Sequence, residues 1–75
     1  MSKLPAVRAR DVVRIVQSLG FVLDRQRGSH AVFYRAADRK RLVIPMHAGR
    51  DLKQGTLRGI IADMGITPEE FSKLI

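Results

Sequence analysis

The chain has no cysteine, which excludes disulfides and thiolate metal sites. Only three prolines occur and no stretch is of low complexity, so the composition is not that of a disordered segment. No run approaches the ~18 apolar residues that a membrane span requires. The stretch from Met1 to Pro5 is short and polar with no apolar run behind it, unlike a secretory signal. Together these absences predict a soluble cytoplasmic protein with no membrane association. At 75 residues there is room for one domain, residues 1–75, and a domain so small is only marginally stable alone.

Acidic residues are scarce as well: seven, against fourteen Lys and Arg, for a net charge of +7. The excess is concentrated. From Arg25 to Arg58 there are nine basic residues and only two acids, Asp38 and Asp51, so this window carries the whole net charge. A basic middle in a tiny domain points to a polyanionic partner. Surface charge also serves plain solubility. An acidic membrane surface fits less well, because no long amphipathic helix with one basic and one large apolar face is present.

Apolar spacing divides the chain into elements. Val12, Ile15, Val16 and Leu19 form one stripe of an amphipathic helix, and Gly20 suits its left-handed end. Its start is poorly capped, since Arg8 or Ala9 stands where Ser, Thr or Asp is preferred, although Asp11 suits the helix dipole. Phe21 to Arg27 then reads as a strand. Gly28-Ser29 closes a two-residue hairpin, with Gly at the first central position of a II′ turn. His30 to Arg35, rich in β-branched and aromatic types, is the second strand. A polar turn at Asp38-Arg39-Lys40 leads to a third, Arg41 to Ile44, ended by Pro45. Leu57, Ile60, Ile61 and Met64 repeat the helical stripe before Gly65. Thr67-Pro68-Glu69-Glu70 is a capping box opening a short last helix whose apolar side is Phe71, Leu74 and Ile75. The expectation is an α+β fold, α-β-β-β-α with a three-stranded antiparallel sheet, helices on one face and a short C-terminal helix.

The hairpin register does not close cleanly on this pattern. A regular ladder sets Arg27 against His30, Arg25 against Val32 and Leu23 against Tyr34. Phe33 then falls among polar residues. A bulge or a longer turn would resolve the conflict; until then the face that carries His30 is open.

Few residues offer chemistry. Histidine is the side chain best suited to proton transfer near neutral pH, and there are two, His30 and His47. His30 follows the tight turn and has Arg25 and Arg27 close by. Metal-free RNA cleavage needs a group that takes the proton of the ribose 2′-OH or protonates the leaving 5′-oxygen, with cations to steady the charge on the phosphorane. His30 suits either step. A histidine at a turn edge with no special role is the plainer reading of the residues alone. His47 could contact phosphate or stabilise its loop. Lys53 precedes the second helix, whose N-terminus could help hold a phosphate, though by the sequence alone plain solvation is the favoured reading. Ser29 next to His30 reads as a turn residue, because adjacent strand residues point to opposite faces. Tyr34 or Phe33 could stack on a base, although aromatics on such a strand belong more often to a core. No HxxH or HExxH spacing and no phosphate-binding glycine motif occurs, so neither metal nor cofactor is implied.

Taken in order, Leu4-Pro5, Gly20-Phe21, Gly28-Ser29-His30 with Phe33, Val43-Ile44-Pro45-Met46-His47, Asp51-Leu52 and Gly55-Thr56-Leu57-Arg58-Gly59-Ile60 resemble the HicA family of toxin ribonucleases. The likeness runs over about residues 4 to 66. It implies a double-stranded-RNA-binding-domain-like fold and mRNA cleavage without metal. It also implies a catalytic histidine at His30, and a HicB-type antitoxin that binds the toxin and blocks the site. Arg25, Arg27, Ser29, His47 and Lys53 are then the candidate RNA contacts. Arg8-Ala9 departs from the family, where a small capping residue is usual. Two other readings stand beside this one: a non-catalytic RNA-binding module of the same fold, and an adaptor that docks an acidic protein.

Overall fold

The computed structural model describes residues 4–75; residues 1–3 of the expected domain lie outside the described residues. The elements are α1 (Ala9–Ser18), β1 (Val22–Arg27), β2 (His30–Arg35), β3 (Lys40–Pro45), α2 (Gln54–Met64) and α3 (Pro68–Leu74). This is the expected α+β arrangement of one helix, three antiparallel strands in the order β1-β2-β3, and C-terminal helices.

The helix stripes are where the spacing puts them. Val12, Ile15 and Val16 from α1 and Leu57, Ile60, Ile61 and Met64 from α2 are buried. They cover Ala31 and Phe33 of β2 and Leu42 and Ile44 of β3 in a single core. The ends of α1 explain themselves locally. An arginine side chain cannot accept a hydrogen bond, so Arg8 does not cap; instead its N–H donates to Asp11 Oδ2 at 3.0 Å. At the other end Phe21 N–H reaches Val16 O and Gly20 N–H reaches Gln17 O. With Gly20 at φ +94°, this is the paired Schellman closure.

The hairpin turn places its positive φ on Gly28 alone, as a II′ turn requires. The register conflict is resolved by a bulge. Arg27 faces His30 and Arg25 faces Val32 as expected, but between Arg25 and Leu23 the register shifts, so Leu23 faces Phe33 and Val22 faces Tyr34. Asp24 is the extra residue. Ala31 and Phe33 share the core side by the alternation of β2 itself; the bulge sets Leu23, in place of Asp24, opposite Phe33.

Two expectations are corrected. β3 begins at Lys40 and includes Pro45, which opposes His30; a proline is tolerated there because β3 is an edge strand. On α3 only Phe71 is buried, while Leu74 and Ile75 are about half exposed. The capping box itself forms, with Glu70 N–H donating to Thr67 Oγ1 at 3.0 Å and Thr67 N–H to Glu70 Oε1 at 2.8 Å.

Candidate functional site

Antiparallel partners share a face of the sheet, so the register defines the side turned away from the helices. It carries three rows: Arg27, His30 and Pro45; Arg25, Val32 and Val43; Val22, Tyr34 and Arg41. His30 is exposed there, at the first position of β2. The face left open by the sequence pattern is therefore this uncovered one. Arg27 is the cross-strand neighbour of His30, and Arg25 lies one row away.

Ser29 sits in the turn, half-buried, and its carbonyl accepts the N–H of Met46. That bond ties the start of β2 to the segment leaving β3, so the backbone around His30 is held from both sides. Met46 leads directly into the loop that holds His47.

This loop is shaped by the chain's N-terminal segment. Leu52 N–H donates to Val7 O at 2.8 Å, Arg8 and Asp51 form an isolated bridge, and their side chains approach to 4.0 Å. His47 is exposed on the loop and forms a wall common to two open clefts. One, of about 200 Å³, includes Arg8, Arg10 and Gly49. The other, of about 290 Å³, includes Pro45, Arg50, Asp51, Lys53 and Thr56. Lys53 is the residue at which α2 starts, and no side chain caps that helix. Its first N–H groups add partial positive charge to the cleft.

The expected site residues thus fall into two groups. Arg25, Arg27 and His30 share the open sheet face; His47 and Lys53 share the second cleft. Pro45 joins them, since it opposes His30 in the ladder and lines that cleft, whereas His30 lines neither cleft. None of the ion pairs among the described residues involves Arg25, Arg27, Arg50 or Lys53, so their charge is open to an anion. Arg50, Thr56 and Pro45 escaped sequence reasoning as site residues, because the cleft joins the end of β3, a loop and the start of α2, and no local pattern shows that these meet. Among the described residues no three His, Asp or Glu side chains gather closely enough to hold a metal ion, and no helix is long and apolar enough to cross a membrane.

Comparison with known families gives a match over most of the chain. The family described as the HicA toxin of bacterial toxin-antitoxin systems covers residues 9–66, from the start of α1 to just beyond α2. No curated protein matches the chain.

Proposed function

The chain belongs to the HicA toxin family, and from that premise we propose that it is a toxin that cleaves mRNA in the cytoplasm without a metal ion, with His30 as its catalytic group. Its activity is restrained by a HicB-type antitoxin. The observation that carries this reading is the placement of His30: exposed on the uncovered sheet face, held through Ser29 and Met46, with Arg27 opposite and Arg25 one row away.

The chemistry requires little else. The ribose 2′-oxygen attacks the adjacent phosphorus, the bond to the 5′-oxygen breaks, and the products are a 2′,3′-cyclic phosphate and a free 5′-hydroxyl. One proton leaves the 2′-OH and one reaches the 5′-oxygen. His30 carries one of these transfers. Arg25 and Arg27 neutralise the charge that builds on the non-bridging oxygens, where preorganised cations act most strongly. Lys53 and His47, with the uncapped start of α2, hold a neighbouring phosphate in the cleft beyond Pro45. Ser29 contributes its backbone to this geometry and borders the reacting ribose.

The test is a gel. The purified chain and its His30→Ala variant are incubated with a long single-stranded RNA in EDTA. The expected result is degradation by the parent and a loss of at least ~100-fold in the variant, the scale of one general acid–base group, with unchanged circular dichroism. Binding of RNA by both chains with cleavage by neither would replace this reading with that of a binding module. Equal cleavage by both would remove His30 from the mechanism.

A further inference from the structure

β2 alternates strictly. Ala31 and Phe33 are buried in the core, so His30, Val32 and Tyr34 line the open face in sequence. Tyr34 is half-buried there, although nothing in the core calls for an aromatic ring on that side. Arg41, its cross-strand partner, lays its guanidinium carbon 4.9 Å from the ring centroid. Arg41 is in turn held by Asp24, whose carboxylate Oδ2 accepts from Nη1 at 2.8 Å. Asp24 is the bulge residue. The irregularity in β1 therefore presents a carboxylate to Arg41 on this face, and the carboxylate fixes the guanidinium over the ring. Arg41 remains 49% exposed. The result is a two-layered platform, its guanidinium charge balanced by Asp24, at one end of the open face.

Aromatic rings and guanidinium planes are the surfaces on which unpaired RNA bases stack. Tyr34 lies four residues from His30 on the same strand, about 13 Å at the strand rise, a span that an extended single strand covers in about two nucleotides. Between the two, in the row of Val32, is Arg25, and beside His30 is Arg27. Both lie on the β1 side and neither is in an ion pair among the described residues. Phosphates tracking β1 and a base turned toward the β2–β3 side would meet these groups in order.

We propose that single-stranded RNA runs along the open face of the sheet, and that a base about two nucleotides from the scissile phosphate stacks on the Tyr34–Arg41 platform. This rests on the reading of His30 as the group that acts on RNA and adds a base-binding subsite to it. A duplex is disfavoured, because its bases are already stacked and paired.

Tyr34 is the only tyrosine and the chain has no tryptophan, so the intrinsic fluorescence of the full chain reports this residue alone. The experiment titrates the protein with a short 2′-O-methyl RNA oligonucleotide of mixed sequence, which has no free 2′-OH and cannot be cut. A fluorescein label on the oligonucleotide gives binding by anisotropy in parallel. The expected result is quenching of tyrosine emission with the same midpoint as the anisotropy change. Tyr34→Ala and Arg41→Ala each weaken binding about 10-fold, within the range for one stacked base, and Tyr34→Phe retains affinity. Quenching is measured on the unaltered chain, so the proposal is tested even if a variant fails to fold. Saturating anisotropy with unchanged tyrosine emission would overturn the subsite, and so would undiminished affinity in a folded Tyr34→Ala. Equal quenching by the annealed duplex would overturn the single-strand requirement. Quenching by a co-expressed antitoxin but not by the oligonucleotide would overturn it in favour of a protein contact. His30-dependent cleavage of unmodified RNA persisting through any of these results would leave the catalytic reading intact, whereas loss of both binding and cleavage would end both.

Discussion

At the scale of single residues, the arginines of this chain serve different ends. Arg35 is structural. Its guanidinium lies 4.4 Å from the centroid of Phe21, Nη1 donates to Leu19 O at 2.8 Å, and Nε and Nη2 clasp Asp38. One side chain thereby satisfies the end of α1, covers a core aromatic and pins the β2–β3 turn. Hydrogen bonds from Arg35 hold the Asp38 carboxyl below its usual range, against a smaller opposing effect of desolvation. A carboxyl whose value is lowered in the folded state stabilises the fold above the ordinary carboxylate range of about 4, and that contribution fades as pH falls through the lowered value. Asp38→Asn is therefore expected to lower the melting temperature at pH 7, and the gap from the parent should close as the solution is acidified below about pH 4. Thermal melts followed by circular dichroism at the two pH values check this; a gap independent of pH would mean that the ion pair contributes nothing. Arg25 and Arg27 make no such contacts, which is why they are available to a ligand.

At the scale of elements, most of the fold was legible in the sequence because the helix stripes, the Gly-Ser turn and the Thr67 capping box are local signals. The register was not. A bulge adds one residue to a strand, and nothing about Asp24 as a residue type marks it; only the row opposite buried Phe33, a tertiary fact, distinguishes Leu23 there from Asp24. The face of His30 stayed open for the same reason. His30 itself was visible from its place after the turn, whereas the cleft around His47 depends on Val7 and Arg8 crossing to Leu52 and Asp51, a pairing more than forty residues apart that no periodicity encodes. α2 permits a prediction at this scale. Gly59 lies in its interior, is exposed, and a Cβ built there meets no atom within 4 Å, so no close helix contact requires it. Gly59→Ala should stabilise the chain by about 1 kcal/mol, raising the melting temperature by ~4–8 °C with RNA cleavage unchanged. A fall in melting temperature would show that the site is constrained in a way the geometry does not reveal.

At the scale of the whole molecule, the net charge of +7 is what the proposed binding of RNA would draw on. Arg25, Arg27, Arg50 and Lys53 are four cations outside the ion pairs of the described residues. If each meets one phosphate of a single strand, the logarithm of affinity falls against the logarithm of salt with a slope of about −3. Arg27→Ala should make it shallower by about 0.7. Anisotropy titrations of the uncut oligonucleotide over a salt series measure both, and a flat response would remove phosphate contacts from the binding. The bulge at Asp24 bears on a different matter, the company the protein keeps with copies of itself. β1 is an edge strand whose six residues are all exposed, and a flat edge of that kind is a template on which further strands add. The extra residue twists the row of unpaired amides and carbonyls out of line, while Arg25 and Arg27 repel an identical edge. The same irregularity that sets Leu23 rather than Asp24 opposite Phe33 is thus a feature of the kind that works against edge-to-edge growth.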